Sequence, residues 1–155
     1  MRLRASTPDD VDAAFGVWQR SVTATHDFVE AADLVEIAGL VRDQYLPYAG
    51  LTLACDDDDR VLAFIGMSGD MIDALFVDAD ARRSGVGRAL IEHARERFPR
   101  GLRVEVNEQN LQAVGFYERL GFRITGRTPL DHQGRPYPLL QMAWSPAGDE
   151  PQDSD

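Results

Sequence analysis

Seven residues, Arg82-Arg83-Ser84-Gly85-Val86-Gly87-Arg88, stand between an apolar segment, Met71 to Val77, and an amphipathic one, Ala89 to Phe98. The first segment reads as a buried strand and the second as a helix. Two glycines one residue apart at the junction let the backbone turn sharply and leave it uncovered by side chains. A helix that starts there presents N–H groups and the positive end of its dipole to one point. The chain is therefore constrained to a sheet covered by helices, with a place for an anion at their junction. A phosphate or pyrophosphate fits such a place best.

The length, 155 residues, suits one domain with a core of its own. We expect that domain to span 1–145. The acidic tail 146–155, rich in Pro, Gly and Asp, is expected to be disordered. No apolar run approaches the ~20 residues that cross a bilayer. The start, MRLRASTPDD, lacks the apolar segment of a secretory signal. Cys55 is the lone cysteine and makes no internal disulfide. The expectation is a cytoplasmic protein that does not engage a membrane. The net charge of −10 argues against nucleic acid as a partner and is compatible with a cationic one, such as an amine. It also serves solubility by itself.

The remaining elements follow from periodicity and punctuation. Leu3 to Ala5 reads as a strand. Thr7-Pro8 starts a helix that runs to about Arg20, and Ser21 to Glu30 is a connection. A second helix covers Ala32 to Tyr45 and stops before Pro47. Leu51 to Cys55 and Val61 to Met67 form a hairpin, and Leu102 to Val106 is a further strand. Leu111 to Leu120 is a helix closed by Gly121. Phe122 to Gly126 and Pro138 to Trp144 are a final strand pair. Strands with interspersed helices place the chain in the α+β (mixed α/β) class, around one sheet.

The glycine loop has three anion-binding readings. The dinucleotide fingerprint needs a third glycine, where Leu90 stands, and a P-loop needs a lysine, which the segment lacks. The pattern Arg-x-x-Gly-x-Gly fits Arg82, Gly85 and Gly87 directly. On the loop alone, a plain glycine turn before a helix also stays open. A second block lies about 20 residues on, Asn107-Glu108-Gln109-Asn110-Leu111-Gln112-Ala113-Val114-Gly115-Phe116-Tyr117-Glu118-Arg119-Leu120-Gly121-Phe122. Its residues read as an Asn110 helix cap, a core position at Phe116, and Tyr117 on the face of Asn110, with ring packing as its plainest role.

With both blocks present, Met71 to Gly126 resembles the GCN5-related N-acetyltransferases (GNAT). The resemblance implies a central, mostly antiparallel, splayed sheet flanked by about four helices. It implies that Arg82, Arg83, Ser84, Gly85, Val86, Gly87 and Arg88 bind the pyrophosphate of acetyl-CoA. The strand backbone at Leu75, Phe76 and Val77 would pair with the pantetheine arm. Asn110 would bond that arm, Ala113 would leave room for it, and Tyr117 would serve as general acid at the thioester. The implied reaction is direct acetyl transfer, in a ternary complex, to a primary amine of a protein lysine or a small molecule. The resemblance further suggests a homodimer.

The acceptor side is less marked. Attack on a thioester needs a neutral amine and so a base or a water chain. The resemblance implies a carboxylate on this strand that binds or deprotonates the amine, which makes Asp73 a candidate base and substrate contact, with Asp70 in the preceding turn behind it. His26 is a second candidate because it titrates near neutrality. Phe28 would wall the pocket. Cys55 has no paired histidine nearby and is not read as a nucleophile. His93 and His132 lack the neighbours of a metal site, so no metal is expected. The rival reading is a non-catalytic acyl-CoA sensor, which would keep the loop and need no Tyr117.

Overall fold

The structure is a computed structural model that describes residues 1–146. Apart from Pro146, the tail expected to be disordered lies outside the described residues.

Seven strands are present: β1 (Arg2–Ala5), β2 (Leu51–Cys55), β3 (Val61–Ser68), β4 (Met71–Val77), β5 (Leu102–Asn107), β6 (Arg123–Thr128) and β7 (Leu139–Trp144). They hydrogen-bond in the order β1-β2-β3-β4-β5-β7-β6. The helices are α1 (Val11–Thr25), α2 (Ala31–Leu40), α3 (Val86–Arg97) and α4 (Leu111–Arg119). The mixed α+β class expected from the sequence is what the chain adopts. The chain divides into two compact units, Met1–Met67 with Asp73–Ile91, and Ser68–Ile72 with Glu92 onward.

In the first unit β1, β2 and β3 pair antiparallel, Leu3 opposite Ala54 and Leu53 opposite Phe64. Helix α1 buries Ala14, Val17, Trp18, Ser21 and Val22, a stripe at helical spacing. That stripe packs with Leu51, Leu53, Cys55, Val61 and Phe64 of the strands. The helix runs one turn beyond Arg20, so Ser21 to Thr25 are helical and not a connection. Burial of Ser21 and Val22 supplies the reason, since packing overrides the weak helix preference of Ser, Val and Thr. Thr25 adds a bond from its hydroxyl to the Ser21 carbonyl, 2.9 Å. A 3₁₀ turn, Pro8–Asp10, precedes α1. There the Asp10 carboxylate accepts from the Thr7 N–H at 2.8 Å and from Arg4 at 2.9 Å twice. The helix expected to run to Tyr45 keeps its α form only to Leu40 and then widens. Val41–Tyr45 forms a π-helical turn that ends at the buried Leu46.

In the second unit Met71 and Ile72 pair in parallel with Arg103 and Val104. Strand β5 pairs antiparallel with β7, and β7 with β6. Val104 faces Met142 and Val106 faces Leu140, and all four are buried. Helix α4 ends in a Schellman motif: Phe122 N–H donates to the Tyr117 carbonyl and Gly121 N–H to the Glu118 carbonyl, both at 3.0 Å. Gly121 takes φ +94°, the left-handed conformation this ending needs.

Candidate active site

The loop after β4 opens with Asp78 and a 3₁₀ turn, Ala79–Ala81. Two of its residues are left-handed, Arg83 at φ +66° and Gly85 at φ +88°. A non-glycine residue in that region costs free energy and persists only where its surroundings hold it. A Cβ on Gly85 would point into open space. The Ser84 hydroxyl donates to the Ala81 carbonyl and closes the turn. The first helical bond runs from the Ala89 N–H to the Gly85 carbonyl, 3.0 Å. The amides of Val86 and Gly87 therefore precede the α3 ladder, at the positive end of its dipole. Arg83, Ser84, Gly85 and Arg88 are exposed, whereas Val86 and Gly87 are buried. Backbone amides at a helix N-terminus thus stand beside the exposed Arg83 and Arg88, a donor set suited to a diphosphate.

Ahead of the loop, Leu75 and Val77 are half-buried along β4. The Phe76 ring turns into the core, 5.7 Å from Phe64 and 6.5 Å from Trp18 by ring centroids. Phe76 as a whole is half-buried, with its ring packed against that core. Asp73 is exposed on the same strand. Asp70, the secondary candidate, is engaged by Arg103 at 2.8 Å.

His26 is the first residue beyond the helical span of α1. It caps the C-terminus of α1, its N–H donating to the Val22 carbonyl at 2.8 Å. Its ring lies 5.3 Å from that of Phe28, so the structure brings these two predicted residues together. His26 Nδ1 is 2.7 Å from Thr25 Oγ1. Thr25 gives its single hydroxyl hydrogen to Ser21, so Nδ1 is the donor and the lone pair sits on Nε2. Burial lowers the His26 pKa from 6.5, the nearby Asp27 charge opposing it. The ring is neutral at pH 7, as a base must be.

In the second unit Asn110 caps α4, its side-chain oxygen accepting from the Ala113 N–H at 3.2 Å. The cap uses the oxygen and leaves the amide nitrogen as donor. Two turns beyond Asn110, Tyr117 is only 5 % exposed. Its ring meets Phe116 at 5.2 Å and Phe122 at 5.1 Å, both edge-on. Burial raises its hydroxyl pKa well above 10. Phe116, expected in the core, is half-buried, and Tyr117 is the buried member of the pair. The Schellman ending sets this choice, because it folds Phe122 back onto Tyr117. Among the described residues no cluster of three or more His, Cys, Asp or Glu side chains could hold a metal ion.

A family model for the acetyltransferase (GNAT) domain matches residues 31–139. The chain belongs to the GNAT acetyltransferase family. As a GNAT protein it is an acyltransferase, and its relatives bear this out. It is 46% identical over 142 residues to the peptidyl-lysine N-acetyltransferase YjaB of Escherichia coli, covering 92% of this chain and 95% of that protein. The solution structure of apo YjaB superposes with a TM-score of 0.87 at 46% identity, covering 92% of this chain and 96% of that one. A Bacillus anthracis acetyltransferase solved with acetyl coenzyme A matches at 25% identity and a TM-score of 0.54, over 63% of this chain and 62% of its own. No helix among the described residues is long and apolar enough to cross a membrane.

Two residues of this GNAT chain escape a sequence reading. The Tyr45 hydroxyl, at the end of the π-helical turn, is buried without a hydrogen-bond partner. It lies where a Cβ on Gly66 would sit, 2.0 Å from it. Burial, with the Asp73 charge adding, pushes its pKa up to about 12. Asp78 is the one buried charged side chain among the described residues. Its only sequence signal is an aspartate directly between an apolar strand and a glycine loop.

Proposed function

We propose that this GNAT chain transfers acetyl from acetyl-CoA to the side-chain amine of a protein lysine, by direct attack in a ternary complex. The observation that carries the donor assignment is the loop: left-handed Arg83 and Gly85, the amides of Val86 and Gly87 ahead of the helix ladder, and the exposed Arg83 and Arg88. A doubly charged pyrophosphate matches that set of donors. The strand backbone at Leu75, Phe76 and Val77 serves the pantetheine amides as an added strand would. The Asn110 side-chain nitrogen donates to the arm, and the small Ala113 leaves room for it.

The lysine acceptor is favoured by the name of the 46%-identical relative, a peptidyl-lysine N-acetyltransferase. The net charge of −10 suits a cationic acceptor. The amine gives up its proton to Asp73, to Nε2 of His26, or to water, with Phe28 walling that side. It then attacks the thioester carbonyl; a C–N bond forms, the C–S bond breaks, and the nitrogen loses its surplus proton to solvent, which also restores the proton of Tyr117. Tyr117 donates its phenolic proton to the departing sulfur. Burial supports that role, because it keeps the hydroxyl protonated throughout the neutral pH range. The test is thiol release from acetyl-CoA, measured over a panel of lysine peptides, polyamines, free amino acids and aminoglycosides. The reading expects release that depends on a lysine peptide. Tight binding of acetyl-CoA by calorimetry without amine-dependent release would mark a sensor and overturn it.

A further inference from the structure

Asp78 follows the last residue of β4, and its side chain is 1 % exposed. The donor and acceptor roles above do not use it. Two arginines from distant parts of the chain hold it. Arg20, on α1, places Nε at 3.1 and 2.9 Å from the two carboxylate oxygens and a terminal nitrogen at 2.7 Å from one of them. Arg60, from the turn between β2 and β3, donates to Asp78 at 3.3 Å and to both oxygens of Asp80 at 2.9 Å. The Gly16 position leaves room for the Arg20 guanidinium, since a Cβ there would lie 3.1 Å from it.

The Asp78 backbone is engaged as well. Its N–H donates to the Leu62 carbonyl at 2.8 Å, and its carbonyl accepts from the Ala81 N–H at 2.9 Å. Ala81 in turn accepts from the Ser84 hydroxyl. A chain of bonds thus runs from α1 and the β2–β3 turn, through Asp78, to the residue before Gly85. An ion pair between a buried carboxylate and half-exposed arginines is weak as a source of stability, because desolvation of the carboxylate and solvent screening offset most of its attraction. It is strong as a constraint on direction, because the guanidinium fork admits few geometries. What it constrains is the entry to a loop whose left-handed residues persist only if the surroundings hold them.

We propose that Asp78, clamped by Arg20 and Arg60, is a positioning residue for the donor loop and sets its affinity for the pyrophosphate of the donor. This rests on the reading of the loop as the acetyl-CoA site. The test uses the full chain as Asp78→Asn and, separately, Arg60→Gln. Arg60 is about half exposed, so its variant stays informative if the first fails to fold. Acetyl-CoA affinity is measured by calorimetry. The KM for acetyl-CoA, the KM for the amine and kcat are measured by thiol release. Acetyl-pantetheine, which has the thioester and no pyrophosphate, is the truncated donor. Asp78→Asn is expected to weaken acetyl-CoA binding about tenfold, the scale of a lost charged hydrogen bond. Arg60→Gln is expected to weaken it about threefold, as the loss of the longer contact. The kcat, the amine KM and kcat/KM with acetyl-pantetheine should stay within about twofold of the starting chain. Unchanged acetyl-CoA affinity in both variants overturns the proposal. So does an equal loss with acetyl-pantetheine, which would make the clamp a general support of the fold. If the unsubstituted chain binds no acetyl-CoA, the donor reading itself fails, an outcome distinct from either.

Discussion

Replacing Tyr117 with Phe removes one oxygen from a ring that otherwise keeps its place. The edge-on contacts to Phe116 and Phe122 involve the ring and not the hydroxyl, and the Schellman bonds to Tyr117 are main-chain. Folding stability should therefore change by no more than about 1 kcal/mol. General acid catalysis contributes on the order of 10²–10⁴-fold in rate. A thiol leaves more readily than an alcohol, with an ordinary pKa of about 8.5, so the lower end applies. We predict that kcat falls about 10²-fold, a loss near 2.7 kcal/mol in transition-state stabilisation. The donor and amine KM values should hold. Because burial keeps the phenol protonated, the parent enzyme should show no alkaline limb from this group through the neutral range, and neither should the variant. The assay is steady-state thiol release at saturating donor, with calorimetric acetyl-CoA affinity as a check. A Tyr117→Phe enzyme that turns over within about twofold of the parent would refute the general-acid role and leave the ring as packing alone.

If His26 is the base, its lowered pKa puts the acidic limb of kcat/KM below pH 6.5, and His26→Gln should abolish that limb; an unchanged profile assigns the proton to Asp73 or water. Because the folded pKa of His26 is depressed, this residue's part in stability is full above pH 6.5 and declines as pH falls through the range below, a slope that denaturant titration of His26→Gln should lack. Gly66→Ala should cost about 1–3 kcal/mol by chemical denaturation, since its Cβ would overlap the Tyr45 hydroxyl. Tyr45→Phe should be neutral or stabilising by up to about 1 kcal/mol, because the hydroxyl it removes is buried and unbonded, and it should relieve part of the Gly66→Ala cost in the double variant. Gly121→Ala should destabilise by about 1–2 kcal/mol, the left-handed penalty at φ +94°, read as a lower melting temperature with an unchanged acetyl-CoA KM.

The parts of this fold legible in the sequence are those with local causes. Strand β4 spans Met71–Val77 and β2 spans Leu51–Cys55, as the apolar runs predict. The α4 cap at Asn110 and its ending at Gly121 follow from backbone chemistry that each residue type carries with it. The parts that were not legible depend on partners far along the chain. Ser21 to Thr25 look like a connection until α1 is seen to bury Ser21 and Val22, and that burial makes His26 a helix cap beside Phe28. The π-helical turn at Val41–Tyr45 sets the Tyr45 hydroxyl over Gly66, a neighbour 21 positions away, and no periodicity announces it. Two adjacent aromatics, Phe116 and Tyr117, cannot be ranked for burial by spacing alone; the fold-back of Phe122 decides between them. Asp78 has the same character, since its meaning comes from Arg20 and Arg60.

The account stands or falls on whether the Arg82–Arg88 backbone holds the donor's pyrophosphate. Titration of the ¹⁵N-labelled chain with coenzyme A, followed amide by amide, reads this directly. The predicted result is that the largest saturable shifts fall on Gly85, Val86 and Gly87, with inorganic pyrophosphate moving the same amides more weakly. Saturable binding of coenzyme A that leaves those three amides in place, with its shifts elsewhere in the chain, would contradict it.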